Sequence, residues 1–226
     1  MIGFEPISTG GGGGPVKAIN VEYLNGAVVN VQEALDSLLY VNPAVSSFTN
    51  NIGTVEKGSV ITSVVLAWSF NKTMASASIN NGIGSVQGVT TIAHTAQNIT
   101  TNRTYTITVN DGTNNASRNT NVIFQNKRYH GTSANADLAS FDILSLQNSE
   151  LSDSRLQTRT INGNGQYIYF AFPESFGVPV FNVNGLVNTA FTSIIKSFTN
   201  SKGHTENYRL VRMNTLQFGT LTIETK

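Results

Sequence analysis

The stretch Val28 to Tyr40, VVNVQEALDSLLY, constrains the chain most. It is the only convincing helix before residue 130, and the chain beyond it reads mostly as strand and turn. Leu24, Val28, Val31, Leu35 and Leu38 step by four, three, four and three, the spacing of a coiled-coil seam. Asn30, followed three residues later by Glu33, forms a capping box that lets the regular helix start at Val31. Asn42-Pro43 stops it, because the residue before a proline is pushed out of the helical region. A helix of about ten residues is about 15 Å long, and one that short is marginal alone in water. Its apolar stripe therefore needs a cover. Either the helix lies on its own domain, or identical helices from several chains pack about a common axis. The glycine run before it and the β-sequence after it leave little local surface, which favours the second. Val28, Val31, Leu35 and Leu38 are then the oligomer-interface residues. So short a seam does not decide between dimer and trimer.

Composition excludes several function classes. Charged residues are 12% of the 226, and the net charge is +1, so no basic field points to nucleic acid. With no cysteine there is no disulfide framework, thiolate metal site or Cys nucleophile. No segment approaches the length of a membrane span, and the opening MIGFEPIS lacks the basic start and apolar run of a signal peptide. Four Asn-x-Ser/Thr matches, at Asn71, Asn98, Asn102 and Asn115, are what chance gives in a chain this rich in Asn and Thr. The hydrophobic 39% falls in alternating runs, which argues for packed cores over disorder.

Ahead of the helix, Ile2, Phe4 and Ile7 stand on a short opening that precedes Gly10 to Gly14 and Pro15. A glycine tract that long reaches about 12 Å. Residues 1–15 are either a loose terminus or an anchor peptide whose three apolar side chains insert into a partner. Residues 16–43 hold a short strand (Val16 to Leu24), an Asn25-Gly26 turn and the helix.

Residues 44–126 read as an immunoglobulin-like β-sandwich. Val64, Leu66, Trp68 and Phe70 share one face at period two, as do Tyr105, Ile107 and Val109, and then Val122 and Phe124. Val45 to Thr49 and Val86 to Ile92 are further strands. Trp68 reads as a core plug, and Tyr105 lies where immunoglobulin-like domains keep a corner tyrosine. Residues 127–226 read as a second β-rich domain with one short helix, Asp137 to Gln147, and strands at Arg155 to Ile161, Gln166 to Phe172, Val178 to Val183, Phe191 to Phe198, Tyr208 to Met213 and Thr220 to Glu224. The fold class is mainly β.

The search for chemistry names no catalytic, cofactor-binding or metal residue. His94, His130 and His204 are each isolated; His204 with Glu206, or His130 near a symmetry axis, are the only arrangements with a metal reading, and exposed loop residues explain them more simply. Glu150, Asp153 and Glu174 are carboxylates without a pairing. Arg155, Arg159, Arg209 and Arg212 read as paired or scattered. The aromatic run Tyr167, Tyr169, Phe170, Phe172, Phe176 and Phe181 is either a glycan-stacking face or a core, and its alternation with Ile168 and Ala171 favours a core.

The order of parts carries a resemblance. A glycine tether, then NVQEALDSLLYVNPAVSSF, SVVLAWSFNKTMASASINNGIGSV, TYTITVNDG and VIFQNKRYHGTS resembles a set of bacteriophage virion structural proteins of tail fibre, baseplate or head-fibre type. QYIYFAFPESFG and TNSKGHTENYRLVRMNTL look like their C-terminal β-domain. The likeness covers most of residues 28–226; His130 departs from it, standing where an aromatic would follow the Arg-Tyr pair. It implies a non-enzymatic virion part made in the host cytoplasm, attached to another virion protein through Met1 to Ser8 and projecting as a homotrimer. Cofactors, nucleic acid and membrane have no place in it. The alternatives are a receptor- or glycan-binding adhesin facing host surface glycan and, third, a polysaccharide depolymerase, for which the paired carboxylates are missing.

Overall fold

The computed structural model describes residues 20–22, 28–95 and 97–226, and divides into two compact units, 1–42 and 43–226. In the first, β1 (Asn20–Glu22) pairs antiparallel with β2 (Val28–Asn30), and the chain passes directly into α1 (Val31–Leu39). The helix starts one residue after Asn30, where the capping box puts it. The rest of the 16–24 strand reading, and the Asn25-Gly26 turn, lie outside the described residues.

The second unit is mainly β. Its first part contains β3 (Val45–Asn50), β4 (Thr54–Glu56), β5 (Val64–Phe70), β6 (Ser76–Ile79), β7 (Gly84–Ser85), β8 (Thr91–His94), β9 (Arg103–Asn110) and β10 (Asn115–Ser133). One sheet runs β3-β5-β8; the facing one runs β7-β6-β9-β10, with β4 parallel to β10. Two facing antiparallel sheets of short strands, packed over a shared core, are the immunoglobulin-like arrangement. Val64, Leu66 and Trp68 from one sheet meet Ile107, Val109, Val122 and Phe124 from the other in a single core. Trp68 packs edge-on to Phe48, with ring centroids 6.5 Å apart. Two strand expectations change. Residues 86–90 are not strand: Val86 is a buried turn residue between the short β7 and β8. The strand that carries Val64, Leu66 and Trp68 runs Val64–Phe70, while residues 59–63, which also read as strand, lie ahead of it.

The remainder contains β11 (Asn148–Ser152), β12 (Gln157–Asn162), β13 (Tyr167–Pro173), β14 (Phe181–Val183), β15 (Leu186–Asn188), β16 (Phe191–Thr199), β17 (Thr205–Met213) and β18 (Thr220–Thr225). β10 does not stop at Phe124. It continues for 19 residues in all, exchanging β9 and β4 for β11 and β13 as neighbours, so one nine-stranded sheet passes through both parts. One face of its second half carries Ile168, Phe170 and Phe172 against the sheet β12-β18-β14-β15. The other face carries Tyr129, Tyr169 and Tyr208 against Leu138, Phe141 and Ile143.

Those last residues correct the second helix. Residues 137–147 form turns and a single 3-10 turn, Ile143–Ser145. The side chains of Asn135, Asp137 and Asp142 each accept the backbone N–H two residues on. Such local bonds offer the backbone an alternative to a helix. The apolar residues still bury, as a covering loop.

Candidate functional site

Among the described residues of the first unit, the helix carries an exposed apolar cluster. Leu35 is 45% exposed, Leu38 81% and Leu39 71%. Leu39, adjacent to the seam positions, widens the apolar face beyond the two positions that heptad spacing singles out. Of the expected interface residues, Val28 lies on β2 and Val31 opens α1, while their side-chain packing lies outside the described residues. The expected anchor residues Ile2, Phe4 and Ile7 also lie outside the described residues.

Within the second unit, polar side chains gather where the sandwich meets the C-terminal sheets. The Glu206 carboxylate accepts from Asn126 Nδ2 at 2.7 Å and lies 3.4 Å from Lys57 Nζ and 3.3 Å from His204 Nε2. Burial pushes this carboxyl's pKa up, but the Asn126 hydrogen bond and the Lys57 charge outweigh it, and the net shift is downward. Glu56, itself buried, pairs with Lys127 at 3.1 Å. Tyr208 donates to the Lys127 carbonyl, and Asn200 Nδ2 to that of Lys57. Burial, with Glu56 adding to it, pushes the Tyr129 hydroxyl up to about 12. Gly58 is required here: at φ +91°, a Cβ would stand 2.9 Å from both His204 Cβ and the Lys202 carbonyl oxygen. A cleft of about 450 Å³ beside Lys57, Thr100, Thr101 and His204 opens on this junction. The structure thus brings His204 and Glu206 together, but as members of a hydrogen-bonded lock. Among the described residues no group of three or more His, Asp or Glu could hold a metal ion.

Several of the other chemical candidates are held by structure. Glu150 takes both Arg128 and Arg159, and Glu174 accepts from Asn207. Arg155 donates to the carbonyls of Phe176 and Lys226, and Arg212 lies 4.5 Å over the Tyr167 ring. Tyr169, Phe170, Phe172 and Phe181 are core, while Tyr167 and Phe176 are half-buried. His94 Nδ1 lies 3.2 Å from the hydroxyl of the buried Tyr105, a side-chain partner for the corner tyrosine.

Sequence reasoning passed over two features. His130 and Asn148, opposite each other on β10 and β11, open on a polar cleft of about 350 Å³. Phe218, in a stretch that reads as loop, is 80% exposed. A phenylalanine in solvent was the available signal, but burial cannot be read for a residue flanked by Gln217 and Gly219.

No protein-family model matches this chain, and no curated protein matches it. Among solved structures it is similar to tandem domains of titin: Titin-A168169, at 11% identity and TM-score 0.26 over 81% of this chain and 91% of that one, and the Ig tandem A164-A165, at 8% and 0.24 over 80% and 92%. Superposition that weak says nothing about function.

Proposed function

We propose that this chain is a structural, non-enzymatic component of a bacteriophage virion, attached through its N-terminus and projecting as a homotrimer. The observation that supports it is the helix with Leu35, Leu38 and Leu39 in solvent, in a unit separate from the β-body. Burying one such leucine contributes about 1.5–3 kcal/mol. Three per chain give short helices that are marginal apart an apolar surface to bury together. The phage assignment rests on the sequence resemblance, with the N-terminal peptide as the segment that docks on the particle.

The test is the mass of the full chain in solution by light scattering, beside a Leu35→Asp, Leu38→Asp variant. A trimer that falls to monomer supports the assignment of the seam. A full-length monomer, or a variant that stays trimeric, overturns it. Particle incorporation of a chain lacking residues 1–14 tests the attachment; undiminished incorporation would refute it.

A further inference from the structure

We propose that Lys57 and Asn126 are the two ends of an intramolecular isopeptide bond, and that Glu206, between them, is the carboxylate that carries its protons. Both nitrogens lie on one oxygen of that carboxylate. Lys57 Nζ is 3.4 Å from Glu206 Oε2 and Asn126 Nδ2 is 2.7 Å from it, so amine and amide are no farther apart than those two lengths laid end to end. His204 Nε2 lies 3.3 Å from the same oxygen. An amine, a carboxamide and a carboxylate within mutual reach are the nucleophile, the acyl group and the acid–base group of a lysine–asparagine condensation.

Neighbouring strands hold the two ends. β4 runs parallel to β10 with Glu56 opposite Gln125, and Lys57 and Asn126 each follow that pair by one residue. The ladder reaches them, because Lys57 N–H donates to the Gln125 carbonyl at 2.9 Å. The Lys57 carbonyl in turn accepts from Asn200 Nδ2 at 2.8 Å. Asn126 is buried, and its Oδ1 has no hydrogen-bond partner among the described residues. A buried polar atom left unpartnered calls for an explanation, and an amide placed to react supplies one. Engaged through its nitrogen alone, it can turn about Cβ–Cγ, a broad torsion, and present its carbonyl carbon to Lys57. Lys127 is not the nucleophile, since it pairs with a different carboxylate, Glu56. The same residue types meet again at Asn182, Glu224 and Lys226, but that lysine and carboxylate are more exposed and water screens them.

The step balances without a co-reactant. Glu206 is ionised at neutral pH and begins as the base. Its Oε2 takes a proton from the Lys57 ammonium, the free amine attacks Asn126 Cγ, and Oε2 returns the proton to Nδ2, the atom it already contacts. The Nζ–Cγ bond forms and the Cγ–Nδ2 bond breaks. Of its three ammonium protons Nζ keeps one; the other two reach Nδ2, which leaves as ammonium. Glu206 ends ionised as it began, and nothing is oxidised or reduced. The reaction happens once per chain, so fixed proximity can complete it at a rate far below that of a turning-over enzyme. The product ties the end of β4 to β10 where that strand leaves the sandwich, and closes residues 57–126 into a loop that stays closed in the unfolded chain.

Intact-mass spectrometry of the purified full chain under denaturing conditions tests the bond. The expected mass is one ammonia below that of the sequence, and a digest should yield a branched peptide joining Lys57 to Asn126. Lys57→Arg and Glu206→Gln should keep their full sequence masses and run behind the wild type on a denaturing gel, because their loop is open. Asn-Gly pairs such as Asn81-Gly82 and Asn184-Gly185 can also lose ammonia by closing a succinimide, but that product leaves the chain unbranched and survives Lys57→Arg. The wild-type chain decides the matter whether or not a variant folds. The full sequence mass, an ammonia loss mapped to an Asn-Gly pair, or a branch between Lys226 and Asn182 instead overturns the proposal, as does a loss that survives Lys57→Arg. None of these results bears on the trimer, which is read from the native mass in solution.

Discussion

Replacing Gly131 by alanine should break two hydrogen bonds that belong to another residue. The β10–β11 ladder ends at His130 opposite Asn148, and the Gln147 side chain extends it by one rung. Its Oε1 accepts from Thr132 N–H at 2.8 Å, and its Nε2 donates to the Thr132 carbonyl at 2.9 Å. A Cβ on residue 131 would stand 2.0 Å from that Oε1, so the amide must leave. Each bond is worth about 1 kcal/mol net, and water replaces part of this at an exposed site, which gives about 1–2 kcal/mol for either Gly131→Ala or Gln147→Ala. Gly131 does not have a positive φ, so its backbone suits alanine. In a Gln147→Ala background the obstructing side-chain amide is gone and only the backbone nitrogen of residue 147, 3.0 Å from the new Cβ, still presses on it, so Gly131→Ala should cost less than it does in the wild type. Urea unfolding of the full chain measures the cycle, and hydrogen exchange at the Thr132 amide reads the bond directly. An alanine at 131 that costs nothing in the wild type, or costs the same in both backgrounds, would refute the reasoning.

The junction and the core give further expectations. Glu206→Gln should destabilise at neutral pH; because the folded carboxyl has a lowered pKa, the advantage of the wild type is present above the ordinary value of 4.5 and is lost as pH falls through the folded pKa, which unfolding curves on both chains at stepped pH would show. His130 behaves in the same direction for the opposite reason: its folded pKa of about 4 lies below 6.5, so protonation favours the unfolded chain, and stability relative to a His130→Asn variant should decline between about pH 6.5 and pH 4. Gly58→Ala should lower the melting temperature, since the new methyl is both strained at φ +91° and pressed on the 202–204 turn. Phe170→Ala should cost about 3–5 kcal/mol by leaving a cavity in a fully buried position, whereas Phe218→Ala should change stability by less than about 0.5 kcal/mol.

The strands that were legible in the sequence are those with one wet face. Val64, Leu66 and Trp68 alternate with the exposed Val65 and Ala67, and Tyr105, Ile107 and Val109 with threonines, because one sheet face packs and the other meets water. Short strands such as β4, β6 and β15 leave too few turns of the alternation to register. The 137–147 segment misled because its apolar residues do bury, while Asp137 and Asp142 spend their side chains on turns. The polar cleft beside His130 and Asn148 was illegible for another reason. Its amides and hydroxyls come from β10, β11 and β12, and only the pairing of strands brings them together.

Asn126-Lys127 shows why a polar dipeptide can look like a linker and be its opposite. Polar residues between two apolar patterns mark a boundary when water solvates them. Here Asn126 is buried, and its amide reaches Glu206, 80 residues further on, while Lys127 reaches Glu56. A buried polar group costs free energy unless its partner is in place, and Asn126 Nδ2 and one Glu56 carboxylate oxygen have theirs in one arrangement of the two β-parts. Swinging one part on the other would strand Asn126, Glu56 and Glu206 together, while also opening the continuous β10 ladder. These bonds link the two β-parts in that one orientation. Residues 43–226 accordingly form one compact unit, and the boundary that composition suggests at 126 separates the sandwich core from the two cores beyond it without separating two bodies.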